Sequence, residues 1–333
     1  MNTGSETVRA VGIDRLTDAA GIHQLRLPAP ECGADQVVLA VEAVAVNHVD
    51  TFVRSGVYAT ELEFPVAVGR DAVGTIEAVG ASVTGLQVGQ RAWTNSLGFA
   101  GRPGATAERV AVDAEQAYLL PPDVDPVTAA AALHPCTTAV LAVQRQGNLQ
   151  PGESIYIAGG AGQVGSAAIV LAVARGARVL ASASADDAGY CRGLGAQTVL
   201  DYRDPDLVPR LLQAVPDGID VHIDTAGHND LAAAVKLAAP RGRIVLLAGP
   251  TTEAVLPVGQ LYMRDASLRG FAISNATVGE LADAAATVNM LLASGVWTPR
   301  QVSLGSFDDA GWAHARLESG QNRGTRIVLR PAP

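Results

Sequence analysis

The stretch Ser154-Ile155-Tyr156-Ile157-Ala158-Gly159-Gly160-Ala161-Gly162-Gln163-Val164-Gly165, with the apolar run Ser166 to Ala174 behind it, decides the fold. A short β-rich run enters a glycine loop, and a helix-forming segment leaves it. Gly160, Gly162 and Gly165 supply the spacing G-x-G-x-x-G. Glycine permits the tight turn and lets backbone N–H groups approach a pyrophosphate, whose charge then lies at the positive end of the helix. With 35 glycines in 333 residues the spacing alone is weak. The strand before it and the helix after it give it its meaning, a dinucleotide cradle.

Beyond the loop the pattern alternates. Strands are predicted at Ser154–Ala158, Ala177–Ala181, Thr198–Leu200, Val221–Asp224 and Arg243–Leu247. Helical segments lie between them at Val164–Ala174, Asp186–Gly193, Leu207–Val215 and Asp230–Leu237. Such alternation predicts a parallel, doubly wound sheet and an α/β chain. Before the loop the texture differs. Short β runs (Gln36 to Val46, Ala72 to Val79, Arg91 to Thr94, Ala107 to Val112) are punctuated by Gly85, Gly89 and Pro103-Gly104, which predicts an antiparallel, partly barrel-like domain. Asp125-Pro126-Val127-Thr128 reads as the cap and first turn of an Ala-rich helix. The expected organisation is residues 1–124 as a first domain, 125–272 as the dinucleotide domain, and 273–333 returning to the first.

Net charge is −9, which argues against a nucleic-acid partner, since phosphate backbones need a basic footprint. No run of 18 apolar residues appears and Met1 to Arg9 lacks the apolar core of a signal peptide, so no membrane partner is expected. Cys32, Cys136 and Cys191 are widely spaced and form neither a disulfide framework nor a zinc cluster. A cytoplasmic, reduced setting is expected.

Several segments stand in a specific order: Val46-Asn47-His48-Val49-Asp50-Thr51-Phe52-Val53-Arg54-Ser55-Gly56, Phe64-Pro65, Gly69-Arg70-Asp71-Ala72-Val73-Gly74, Gly80 to Arg91, Pro135-Cys136-Thr137-Thr138-Ala139, the glycine loop, and Leu194-Gly195-Ala196. In these the chain resembles the zinc-free quinone oxidoreductases of the zeta-crystallin type, within the medium-chain dehydrogenase/reductase superfamily. The resemblance implies a GroES-like catalytic domain and a Rossmann cofactor domain, with NADPH in a cleft between them. It also implies reduction of a quinone, or of the C=C bond of an α,β-unsaturated carbonyl. Zinc-dependent relatives hold their metal with two cysteines and a histidine. The corresponding positions here are Asn47, Arg70 and His134. An amide is a poor zinc ligand and a guanidinium is none, so no metal is expected.

Asn47 matches the family's asparagine beside the nicotinamide; its alternative is a turn-closing role. Arg70 can polarise a carbonyl or pair with Asp71 or Asp50. The tyrosine that many relatives carry at position 52 is Phe here, which leaves Tyr58, His134 or water to donate the proton. Counting back from Gly195 puts Ser182 at the end of the second strand of the dinucleotide domain. With no acid there, NADPH is favoured over NADH. Asp187 stands where relatives carry a lysine, and Arg203 or Arg192 can supply the missing charge. Thr138, Tyr202, Ala248, Gly249 and Arg326 match further cofactor-facing positions, Arg326 having a solvated edge-strand arginine as its alternative. Within the loop, Gln163 adds a side chain where the commoner form has glycine, so Gln163 is a candidate cofactor contact, with Val164 beside it. The competing readings are a polyketide-type enoyl-thioester reductase and a non-catalytic, cofactor-binding or structural relative. The resemblance also implies a homodimer joined through the cofactor-domain sheets, with Ile244–Leu247 and Val255–Leu261 as apolar candidates for the contact.

Overall fold

The computed structural model describes residues 6–332. The chain begins with β1 (Thr7–Ile13), β2 (His23–Pro28), β3 (Gln36–Val46), α1 (His48–Ser55), β4 (Val66–Ala67), β5 (Asp71–Val79), β6 (Arg91–Thr94), β7 (Arg109–Asp113), β8 (Tyr118–Leu119) and α2 (Pro126–Val140). It continues through β9 (Ser154–Ala158), α3 (Gln163–Ala174), β10 (Arg178–Ala183), α4 (Ala188–Gly193), β11 (Thr198–Asp201), α5 (Leu207–Ala214) and β12 (Ile219–Asp224). Then come α6 (Leu231–Leu237), β13 (Ala238–Leu246), α7 (Val258–Tyr262) and β14 (Ser267–Gly270). It closes with α8 (Val278–Ser294), β15 (Gln301–Ser306), α9 (Ala310–Glu318) and β16 (Thr325–Arg330). Two compact units result: Met1–His134 with Thr277–Pro333, and Pro135–Ala276.

In the first unit β3 is the hub. Its run Val37-Val38-Leu39-Ala40-Val41 is rich in β-branched residues, which suit a strand packed on both faces. It pairs antiparallel with β5 along nearly its whole length, with β16 through Val44–Val46, and with β7 through Gln36–Ala40. One strand serving two partners along the same edge curves the seven-stranded sheet, β15-β16-β3-β5-β6-β8 with β7 also on β3, into a partial barrel. Val37, Leu39, Val44, Ile76, Val110 and Ile327 fill it. At its end β3 passes directly into α1. Asn47 takes extended backbone, the Asp50 carboxylate accepts its N–H (2.8 Å), and Gly56 at φ 82° ends the helix.

In the second unit six parallel strands lie in the order β11-β10-β9-β12-β13-β14. The order reverses between β9 and β12, the topological switch point at whose carboxyl ends such sheets bind ligands. Ile155, Ile157, Val179, Leu180, Val221 and Ile223 are fully buried, as expected of parallel strands covered on both faces. Among the described residues one helical run, Pro126–Gln146, is long and apolar enough to cross a membrane. It is mostly buried within the protein, as a core helix is.

Candidate active site

In the first unit, the turn from β3 into α1 meets the start of β5. Asn47 is buried and its side chain is committed at both ends: Nδ2 donates to Asp71 Oδ2 (2.9 Å), and Oδ1 accepts from Arg326 Nη2 (2.7 Å). The amide orientation is thereby fixed, because a cation faces its oxygen and a carboxylate its nitrogen. Asn47 therefore does more than close a turn. Arg326 also donates through Nε to the Ala131 carbonyl (3.0 Å) and is 6 % exposed. It lies on β16, between β15 and β3. The solvated edge-strand reading of Arg326 is thus overturned: the strand is interior, and its guanidinium sits inside the cluster.

Arg70 is buried and donates through Nε to the Asn95 carbonyl (2.9 Å). Burial lowers its pKa, and the charges of Asp71 and Asp50 and the Tyr58 hydroxyl oppose that fall. Asp50 is pushed up to about 7 by burial and then by Asp71; Asp71 is pushed up to about 6 by burial, against the pull of Arg70 and the Asn47 hydrogen bond. Two guanidiniums and two carboxylates are packed together without bulk water, where each charge acts strongly on its neighbours.

The two proton-donor candidates differ. His134 is half-buried, with Nδ1 shut away from solvent and unpartnered. Burial, followed by the charges of Arg70 and Arg326, drives its pKa well down. The ring is neutral near pH 7, so the imidazolium expected from its ordinary pKa is not available. Tyr58 stacks on Phe99 (5.2 Å between centroids, 16° between planes), and its hydroxyl is buried with no hydrogen-bond partner. A phenol needs no prior charging to donate.

The donor set does not fit a catalytic zinc. A catalytic site needs three thiolate, imidazole or carboxylate ligands; the three positions that match the relatives' ligands hold an amide, a guanidinium and one imidazole, and the neighbouring carboxylates of Asp50 and Asp71 accept hydrogen bonds from Asn47. Among the described residues no three His, Cys, Asp or Glu side chains group as metal ligands.

In the second unit the glycine loop leaves β9 and opens α3. Gly162 caps α3 with extended backbone, and no side chain caps the first N–H groups. A Cβ at Gly165 would meet the Gly159 carbonyl at 2.2 Å, so only glycine lets helix and strand approach this closely. Gln163 and Val164 are partly exposed at the helix start, while Gly160 is buried. Thr138, on α2, has a buried hydroxyl without a partner. These groups fit a dinucleotide, whose pyrophosphate would lie at the helix N-terminus. Ser182 is inside β10, where its Oγ accepts from the Tyr156 hydroxyl (2.8 Å); it is a core acceptor rather than a free group at the strand end. The strand ends at Ala183-Ser184, and Ser184 donates to Asp187 (2.8 Å). The Tyr202 N–H donates to the Ala183 carbonyl (3.2 Å), and the Arg203 guanidinium lies 4.7 Å over the Tyr202 ring. Ala248-Gly249 follows β13 at the same end of the sheet.

Comparison with known proteins agrees with this arrangement. Residues 33–122 match the alcohol dehydrogenase GroES-like domain, and residues 164–288 match the zinc-binding dehydrogenase family. A quinone oxidoreductase of Lama guanicoe is 28% identical over 337 residues, covering 99% of each chain. The chain belongs to the medium-chain dehydrogenase/reductase superfamily. A solved mycobacterial quinone oxidoreductase aligns with it at TM-score 0.85 and 26% identity, over 97% of this chain and 100% of the other. The mycobacterial protein Rv1454c, solved in complex with NADPH, aligns at TM-score 0.83 and 26% identity with the same coverage. The superfamily member described here is an oxidoreductase with a GroES-like and a Rossmann-like part. Reading the sequence missed Asp71 as the partner of Asn47, for which the only signal was an acid beside Arg70. It also missed the Asp224-to-Asn229 loop, signalled only by an acid at a strand end before small residues.

Proposed function

We propose that the protein transfers a hydride from NADPH to a quinone, or to the C=C bond of an α,β-unsaturated carbonyl, without zinc. The observation that supports this most is the buried Asn47–Asp71–Arg326–Arg70 cluster with the unspent Tyr58 hydroxyl nearby. When bound, the nicotinamide supplies the hydride. As hydride reaches the β-carbon, the C=C electron pair moves onto the carbonyl oxygen. Arg70 and the Asn47 amide meet that growing negative charge in a site already oriented for it, the role zinc plays in metal-dependent relatives. Tyr58 then gives its proton to the enolate, and solvent restores the phenol. Asp71 and Arg326 hold the Asn47 amide in place throughout.

Gly160, Gly162, Gln163, Val164 and Gly165 hold the pyrophosphate in this reading, with Thr138, Tyr202, Ala248 and Gly249 as further contacts. NADPH is favoured over NADH because no acid occupies the end of β10 and the stacked Arg203 lies beside it. The test is cofactor oxidation by the purified protein over a panel of quinones and enones, with NADPH and NADH compared. No oxidation with any acceptor would sink the enzymatic reading and leave a cofactor-binding role.

A further inference from the structure

The loop after β12 carries a buried acceptor that none of the described residues uses. Asn229 is 8 % exposed, and its Oδ1 has no hydrogen-bond partner among them. Its Nδ2 donates to the carbonyls of Ala248 (3.0 Å) and Gly227 (3.4 Å), which fixes the amide. Turned over, it would set its own oxygen against two others. Asp224 anchors the loop: Oδ1 accepts from the N–H groups of Ala226 (2.8 Å) and Gly227 (2.9 Å), and Oδ2 from that of Asn229 (2.6 Å). Thr225 ties the same loop back to the Ala158 carbonyl (2.7 Å), where the glycine loop begins. The acceptor is therefore held rigidly, and leaving it bare costs free energy until a donor arrives.

Its place in the sheet indicates the donor. The glycine loop follows β9, so a dinucleotide bound there would cross the switch point. Its adenosine would lie on the β10 side and its nicotinamide on the side of β12 and β13. Asn229 stands in the loop at the carboxyl end of β12 and bonds Ala248, two residues past the end of β13. We infer that Asn229 is a contact residue for the nicotinamide half, its Oδ1 accepting a hydrogen bond from the carboxamide NH2, with Asp224 as its positioning residue. The inference rests on the cofactor reading above.

The experiment measures dissociation constants of wild type and Asn229→Gly for three probes. These are NADP+, its 3-acetylpyridine analogue (a methyl in place of NH2), and 2′-phospho-ADP-ribose. Glycine suits the φ of 52° at this position, so the variant is compatible with the loop. Wild type is expected to prefer the carboxamide over the acetyl probe by about tenfold. Asn229→Gly loses that preference, and 2′-phospho-ADP-ribose binds both proteins alike. An unchanged preference in Asn229→Gly overturns the inference. So does weaker 2′-phospho-ADP-ribose binding by Asn229→Gly, which would mark a loop-structural or ribose role. Wild type binding none of the probes instead overturns the cofactor reading itself.

Discussion

Asp50 and Asp71 carry the largest electrostatic cost of the site. The Asp50 carboxyl titrates at about 7 in the folded chain against 3.8 when free, so between those values the folded state holds a proton the unfolded chain has lost. Stability attributable to this group therefore falls as pH rises through that window. Asp50→Asn keeps an oxygen for the Asn47 N–H and removes the charge. It is expected to stabilise the protein at pH 8 by on the order of 2 kcal/mol, with the gain vanishing near pH 4. Denaturant unfolding at both pH values checks this, and an equal gain at both would refute it. Tyr58 gives a separate prediction. Tyr58→Phe keeps the stack on Phe99, so enone turnover should fall about 100-fold while NADPH affinity is unchanged. Residue identity alone told Asn47 and Arg70 apart from zinc ligands. It did not reveal that Arg326, 279 positions away, fixes the Asn47 amide, because that contact exists only once β16 lies beside β3. The same burial that joins these residues also lowers the His134 pKa, an effect of surroundings that no local pattern encodes.

At the scale of elements, legibility followed periodicity. The strands Gln36–Val46 and Ser154–Ala158 have the extents their apolar patterns predict. The hairpin β1–β2 escaped notice because β2 alternates with polar residues and is largely exposed. Helix α1 was visible as a motif but not as a helix: it is eight residues long, with His48, Asp50 and Arg54 among them, and caps rather than apolar spacing define it. The glycine loop was legible because its constraint is local. Gly165→Ala would drive a methyl group into the Gly159 carbonyl and push α3 from β9. NADPH affinity is expected to drop at least tenfold, measured by titration calorimetry, with the first unit still folded. Unchanged affinity would show that the loop does not form the cradle.

The molecule as a whole combines a curved, mainly antiparallel unit that carries the charge cluster with a doubly wound unit that carries the glycine loop. In the second unit β14 is one of the two edge strands, and Val255, Val258, Tyr262 and Met263 before it are exposed. An open edge beside apolar side chains invites pairing with a second copy. Light scattering is expected to give twice the chain mass, reduced to one by Met263→Glu with Tyr262→Glu; a monomeric wild type would rule the pairing out. The central claim, hydride transfer that relies on Arg70 and Asn47 in place of a metal, has a direct test. Chelator-treated protein is mixed with NADPH deuterated at C4 and a panel of quinones and enones, and product deuterium is measured by mass spectrometry. The account predicts deuterium at the β-carbon of a reduced enone, at a rate that neither chelator nor added zinc changes. Absence of turnover with every acceptor, or activity abolished by chelator and restored by zinc, would contradict it.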